Sequence, residues 1–176
     1  MHGINTHGGS AVNLIPDYAS ATFSVRAATR LYAEEILQRV IHCAQGAALA
    51  IGAKVTWSRK PCYAEVRPNP VIARLLAQNW RSLGLQIRDP RPTDSMGSTD
   101  MGNVTQTLPA IHAHISIAPD VAGHTPEFRA AAISPAGHAG MINAAKGMAM
   151  TVIDLLSDPQ VMQEVKQEFE ATRRGI

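Results

Sequence analysis

The amino-acid sequence predicts an α/β fold arranged in two parts. Several segments alternate between apolar and polar residues, as half-buried strands do. Other segments repeat apolar residues every three or four positions, as one face of a helix does. A polar, proline-containing connection near 62–68 separates the two parts.

The first part, residues 1–64, is predicted to contain three strands. Residues 19–26 alternate cleanly, and a short apolar run that ends in a Pro-Asp turn precedes them. Two antiparallel strands are therefore expected between about 4 and 26. A third strand is expected at 54–59, where the alternation returns. With the helix between them, these strands form a strand–strand–helix–strand unit, which lacks one strand and one helix of a ferredoxin-like sandwich.

The helix of the first part is predicted over residues 30–51. Thr29 can cap its start, and Gly52 is placed to end it. Glu34 and Glu35 suit the positive N-terminal end of the helix dipole. The apolar residues of this segment form one stripe along the helix.

The second part, residues 65–176, is dominated by predicted helices. Each begins with a capping residue followed by proline: Asn69-Pro70, Ser134-Pro135 and Asp158-Pro159. The first ends at Gly84, the second at about Leu156 and the third at about Thr172.

A single strand is predicted in this part, at 111–118. Loops are predicted at 88–94 and 119–128, on either side of a polar, glycine-rich stretch at 95–103. One strand is too few to make a proper sheet for these helices, so this part also looks incomplete.

The composition is that of an ordinary globular protein. The 176 residues are 45% hydrophobic and 17% charged, and 16 Lys and Arg against 14 Asp and Glu leave a formal charge of +2. A disordered chain would be less apolar. A charge so near balance argues against non-specific binding to nucleic acid.

The sequence shows no pattern typical of export or membrane insertion. The start has no basic stretch followed by an apolar core, and no segment approaches the ~20 apolar residues of a membrane span. Cys43 and Cys62 are too few for a disulfide scaffold and are not spaced like zinc ligands. We therefore expect a cytoplasmic protein with neither a nucleic-acid nor a membrane partner.

One motif of the first part resembles a known family. The segment HGGSAVNLIPD at 7–17 is followed by a strand that ends in arginine, FSVR at 23–26. This combination resembles the lid, or dimerisation, domain of the zinc-dependent aminoacylase/carboxypeptidase family. The match is best in its amidohydrolase branch, which cleaves N-acyl amino acids and aminobenzoyl-glutamate.

Three later segments are similar to motifs of that family's catalytic domain, in the same order. They are GSTDMGNV at 97–104, GHTPEF at 123–128 and AGH at 136–138. The resemblance implies an incomplete ferredoxin-like lid at 1–64, followed by the C-terminal part of an α/β zinc-peptidase catalytic domain at 65–176. Family members are more than twice this length. We therefore expect a C-terminal portion that is inactive alone.

The resemblance implies a hydrolytic centre with two bridged divalent metals, zinc or manganese, and a glutamate base. Among its ligands this chain is expected to supply one, His124, which lies between Gly123 and Thr125 in a short loop. The alternative is a loop histidine with no ligand role. One imidazole cannot hold a metal tightly, so the chain alone is expected to bind none. It is also expected to contribute no catalytic residue.

Four residues are candidates for substrate binding by the same resemblance. Arg26 would grip the substrate carboxylate with its two-pronged guanidinium, or it is simply a solvated strand-end residue. Asn13 would hydrogen-bond the substrate, or it serves the turn before Pro16. Gly97 and Ser98 would offer a backbone N–H and a hydroxyl, or they form a flexible loop.

Two remaining groups of side chains are weaker candidates for metal binding. His112 and His114 share one face of the predicted strand and can bind a metal there, although polar-face residues are more common at such positions. Asp100 can ligate a metal, although capping the following turn is the simpler role.

Three functions are compatible with these patterns. The first is a part of a metal-dependent amidohydrolase acting on N-acyl amino acids or small peptides. The second is a non-catalytic dimerisation or binding module derived from that fold. The third is an unrelated ferredoxin-like ligand sensor. Sheet edges left open by the absent elements favour a homo-oligomer.

Overall fold

A computed structural model describes residues 1–89 and 97–174 and shows a mixed α/β chain. It divides into two compact units, Met1–Glu65 and Val66–Ile176. Within the described residues the elements are β1 (His2–His7), β2 (Ser20–Ser24), α1 (Arg30–Ile51), α2 (Pro70–Ser82), α3 (Met101–Thr105), α4 (Pro126–Ala132), α5 (Pro135–Ser157) and α6 (Pro159–Arg174). The small sheet and the helices agree with the predicted α/β class. Among the described helices, none has both the length and the apolar content needed to cross a membrane.

The two N-terminal strands pair antiparallel, as predicted. Ile4 lies opposite Thr22, and the register shifts between Asn5 and His7, which marks a bulge. The Phe23 ring lies over Gly3 so closely that a Cβ there would be 2.5 Å from its Cδ1 atom. A side chain at position 3 would therefore require the half-exposed Phe23 ring to move.

Helix α1 begins and ends at the predicted caps. The Thr29 hydroxyl accepts a hydrogen bond from the Tyr32 N–H, and Gly52 ends the helix in the left-handed region at φ 71°. Ala33 is buried, and the predicted stripe that continues from it is half-buried at Ile36, Leu37, Val40 and Ile41. The amphipathic prediction is confirmed for this part of the helix, whereas Ala44 and Ile51 of the predicted stripe are exposed.

The predicted third strand at 54–59 is wrong. These residues form no ladder with another strand, because alternation predicts an extended backbone but cannot supply a partner for its hydrogen bonds. Side chains from the end of this segment and from the residues after it contact α1 instead. The Arg59 guanidinium pairs with the Glu34 carboxylate, and Glu65 Oε2 accepts a hydrogen bond from the Arg30 N–H at 2.9 Å. Thus the carboxylate at the first turn of α1 comes from Glu65.

The second unit is built around α2, α5 and α6. Leu76 and Trp80 of α2 and Val165 of α6 are buried. The Trp80 Nε1–H donates to the Asn143 carbonyl of α5 at 3.2 Å. A Cβ at Gly147 would lie 2.3 Å from Trp80 Nε1, so α2 and α5 can approach this closely only because residue 147 has no side chain.

Asn69 connects three parts of this unit. Its Oδ1 accepts from the N–H groups of Val71 and Ile72 at 3.2 Å, which caps α2 as predicted. Its Nδ2 donates to the Val165 carbonyl of α6 at 3.0 Å. Its own N–H donates to the Ala110 carbonyl at 2.9 Å. This buried side chain therefore joins α2 to α6, and its backbone joins both to the segment at 110.

The predicted strand at 111–118 is also wrong. The segment has no strand partner and is held through its side chains: Ile115 and Ile117 pack at Gly140 of α5. The reason is the same as at 54–59, since the alternating pattern is satisfied by half-burial of Ile111, Ile115 and Ile117 without a ladder.

Two short helices lie where none was predicted. Helix α4 begins inside the predicted loop at 119–128, because Thr125-Pro126 forms the same cap-then-proline start as the longer helices. Helix α3 lies in the glycine-rich stretch. Most of the predicted proline loop at 88–94 and the first two residues of that stretch, 95 and 96, lie outside the described residues.

Candidate functional site

His124 stands in a loop whose conformation is held on both sides. Its backbone is in the left-handed region, at φ 64°. The Thr125 hydroxyl donates to the Ala122 carbonyl at 2.8 Å and accepts from the Phe128 N–H at 3.1 Å, so it closes the turn and caps α4. The imidazole is exposed to solvent immediately before this helix.

The backbone of His124 carries a conformational cost. A residue other than glycine in the left-handed region costs on the order of 1 kcal/mol or more, and such residues concentrate at functional sites. Glycine would adopt the same φ without this cost. A histidine at this position is consistent with a function for its side chain.

Gly97 and Ser98 lie on an exposed stretch that leads into α3. A Cβ at Gly97 would meet no atom of the described residues within 4 Å, so none of these residues blocks a ligand there. The residues after them are anchored: the hydroxyl of Thr105 donates to the Gly102 carbonyl and accepts from the Arg67 N–H, each at 3.0 Å. The exposed residues Gly97 and Ser98 therefore lead into a short helix that is held by the buried Thr105.

Asp100 occupies the N-cap position of α3, but its side chain makes no capping hydrogen bond. The Thr99 hydroxyl accepts from the Met101 N–H at 3.3 Å instead. The capping role expected of the Asp100 side chain is therefore wrong, and its carboxylate is exposed to solvent.

The two candidates of the first unit lie on either side of β2. Asn13 is exposed, in a turn of the β1–β2 connection where the Leu14 N–H donates to the Ala11 carbonyl at 3.3 Å. Around this connection lies an open groove of about 640 Å³, lined mainly by residues 6–10 and 14–18. Arg26 follows β2 by two residues and is exposed. Both side chains are accessible to a ligand.

The five predicted site residues therefore lie in two units, Asn13 and Arg26 in the first and the other three in the second. Among the described residues, no group of three or more His, Cys, Asp or Glu side chains gathers where it could hold a metal ion. The described residues do not by themselves fit the two-metal centre that the resemblance implies, and we derive no catalytic step through a metal.

Two further groups of side chains that include histidine make contact, and only the first agrees with a prediction from the sequence. The His112 and His114 rings lie 4.9 Å apart between centroids. In the first unit, His7 Nδ1 lies 3.0 Å from the Ser20 hydroxyl, and its ring meets Tyr18 edge-on at 5.7 Å. The i, i+2 spacing at 112 and 114 predicted a shared face, but no sequence pattern indicated the pairing of His7 with Ser20, since it depends on the register of β1 and β2.

Comparison with known proteins shows that the chain is similar to two mammalian dipeptidases. No protein-family model matches the sequence. The chain is 32% identical over 173 residues to Xaa-Arg dipeptidase of Mus musculus, a match that covers 97% of this chain and 40% of the mouse protein. It is 30% identical over 173 residues to Xaa-Arg dipeptidase of Homo sapiens, with the same coverage. The chain thus spans about two fifths of the length of these relatives, and the predicted relationship to peptidases is confirmed in this broad sense.

Proposed function

We propose that this chain supplies part of a metal-dependent amidohydrolase that cleaves the amide bond of N-acyl amino acids or small peptides. The observation that carries the proposal is an alignment with proteins named as dipeptidases, which covers 97% of the chain at 30–32% identity. In this proposal the first unit is the lid, or dimerisation, part and the second is the C-terminal part of the catalytic domain.

The names of the relatives suggest the first substrates to test. Both are called Xaa-Arg dipeptidase. Dipeptides with arginine as the second residue are therefore the leading substrate class for the enzyme to which this chain contributes. N-acyl amino acids are the second substrate class, because the sequence motifs resemble those of hydrolases that cleave them.

Each candidate residue has one role in the proposal. His124 supplies one metal ligand, and the remaining ligands and the general base come from residues outside those described. Arg26 binds the substrate carboxylate, since a guanidinium matches two carboxylate oxygens at once. Asn13, Gly97 and Ser98 bind the polar groups of the substrate. All five residues are exposed in the structure, so a ligand can reach each of them.

A second candidate function is a non-catalytic dimerisation or binding module. The structure exposes 13701 Å² of surface. Two separate compact domains of 65 and 111 residues would together expose about 10,000 Å². A chain with this much uncovered surface is suited to binding another polypeptide. In this alternative the chain forms a stable oligomer and gives no hydrolysis in any context.

The two functions are separated by a hybrid enzyme. In the mouse relative, the matching 173 residues are replaced by this chain, and hydrolysis of Xaa-Arg dipeptides and N-acyl amino acids is measured with zinc or manganese. The amidohydrolase proposal predicts metal-dependent release of the free amino acid. A folded hybrid that cleaves neither class would contradict it and favour the binding module.

The role of Arg26 can be tested in the same hybrid. Arg26→Ala should raise KM for carboxylate-bearing substrates by about 10- to 100-fold, because a charge-assisted hydrogen bond is lost. The turnover number kcat should change less. Arg59→Ala is the matched control, since Arg59 pairs with Glu34 on the same unit. An unchanged KM in the Arg26 variant would remove this residue from the substrate site.

A further inference from the structure

His112 and His114 form a pair of metal-ligating side chains apart from the proposed amidohydrolase site. Both are exposed. Their ring centroids lie 4.9 Å apart, and the ring planes are tilted by 40°. The close approach of the two rings places both imidazoles on the same side of the segment.

The spacing of the rings is the spacing that a shared metal ion requires. With a metal–nitrogen bond of ~2.0–2.1 Å, the centre of an imidazole ring lies about 3.2 Å from the metal. Two rings bound at roughly 90–109° to one another then have centroids roughly 4.5–5.2 Å apart. The observed 4.9 Å falls within this interval.

The backbone that carries the pair is anchored at both ends. Before it, the Ala110 carbonyl accepts the Asn69 N–H at 2.9 Å. After it, Ile117 packs at α5, where a Cβ at Gly140 would lie 3.0 Å from its Cγ2 atom. The two histidines therefore project from an anchored segment, so less conformational entropy is lost when they bind a ligand.

We propose that His112 and His114 bind one late first-row divalent ion, such as Cu²⁺, Ni²⁺ or Zn²⁺, with water completing the coordination. Imidazole selects these ions over Mg²⁺ and Ca²⁺, which prefer oxygen ligands. Because the site has two protein ligands, we expect binding in the micromolar range, with Cu²⁺ tighter than Ni²⁺. The site is independent of the proposed amidohydrolase function, since it does not use His124.

The proposal is tested by calorimetric titration of the 176-residue chain with nickel chloride in a non-coordinating buffer. The wild-type chain should bind one ion at this site. His112→Ala and His114→Ala should each weaken the binding by about tenfold or more, since each removes one of two ligands. His42→Ala and His138→Ala are the matched controls, each removing one exposed histidine, and should leave the affinity unchanged.

A double variant separates pairing from histidine content. Ala113→His combined with His114→Ala keeps the number of histidines but places the two neighbours on opposite sides of the segment. Circular dichroism should show an unchanged fold, because positions 113 and 114 are exposed, and nickel affinity should fall as in the single variants. Wild-type affinity in this variant, an equal loss in either control, or no nickel binding by the wild-type chain would overturn the proposal.

Discussion

At the scale of single residues, His124 combines an exposed imidazole with a backbone in the left-handed region. The sequence predicted a loop histidine, because Gly123 and Pro126 flank it, but it did not predict the strained φ. That conformation depends on the hydroxyl of Thr125, which bonds both to the preceding turn and to the following helix. A functional side chain at this position is therefore expected to lower the stability of the folded chain relative to glycine.

This difference in stability can be measured with two replacements of the same residue. The free energy of unfolding of His124→Gly should exceed that of His124→Ala by about 1 kcal/mol, because glycine accepts a positive φ without strain. His138 is the matched control in α5, where glycine should instead be about 1 kcal/mol less stable than alanine. Chemical denaturation followed by circular dichroism gives both differences. A His124→Gly variant less stable than His124→Ala would show that the left-handed backbone is wrong.

The other candidate residues illustrate what sequence patterns can predict about a site. Asn13, Arg26, Gly97 and Ser98 were chosen by motif, and the structure places each where a ligand can reach it. Their arrangement around one substrate could not be predicted, because they lie in two units joined by a connection whose path depends on distant contacts. Their roles stay predictions until the substrate is tested.

At the scale of elements, the prediction succeeded for the long helices and failed for the isolated strands. Helix ends are determined by local chemistry: Thr29, Asn69 and Ser134 each cap a helix at the predicted start. Strands at 54–59 and 111–118 would need a neighbour at a distance in sequence that no local pattern specifies. The contact of Glu65 with the start of α1 is likewise non-local, since 35 positions separate it from Arg30.

The packing of α2 against α5 makes a prediction at this scale. Gly147→Ala should lower the free energy of unfolding by about 2 kcal/mol, because the added methyl collides with the Trp80 indole and forces the helices apart. Gly46→Ala is the matched control: it also lies inside a helix, but a Cβ there would meet no atom within 4 Å in the part of the chain that the structure describes. That variant should be stabilised by up to about 1 kcal/mol. Thermal unfolding of the two variants measures the contrast, and equal shifts would contradict the close approach at Gly147.

At the scale of the whole molecule, the uncovered surface is the leading feature. Even two separate compact domains of 65 and 111 residues would expose about 10,000 Å², less than the 13701 Å² observed. Several large apolar residues contribute to it, including Leu31, Leu49 and Ile51 of α1. Exposed large apolar side chains are typical of a surface that binds another polypeptide when they form one contiguous patch.

Self-association of the 176-residue chain follows from this surface. Sedimentation velocity at micromolar concentration should show a dimer or larger species. Leu49→Lys, at a position that is 84% exposed, should shift the distribution towards monomer, because it places a charge in the apolar contact. Gln38→Lys adds the same charge at an exposed polar position and should have a smaller effect. A wild-type chain that stays monomeric at every concentration would contradict the prediction.

The central claim, that this chain completes a metal-dependent amidohydrolase through His124, is tested most directly in the hybrid with the mouse relative. Metal content and hydrolysis of an Xaa-Arg dipeptide are compared between the hybrid, its His124→Ala variant and its His42→Ala variant. The account predicts that His124→Ala lowers kcat/KM by at least about 100-fold together with the bound metal, while His42→Ala matches the parent hybrid. Full activity and unchanged metal content in the His124→Ala hybrid would contradict it.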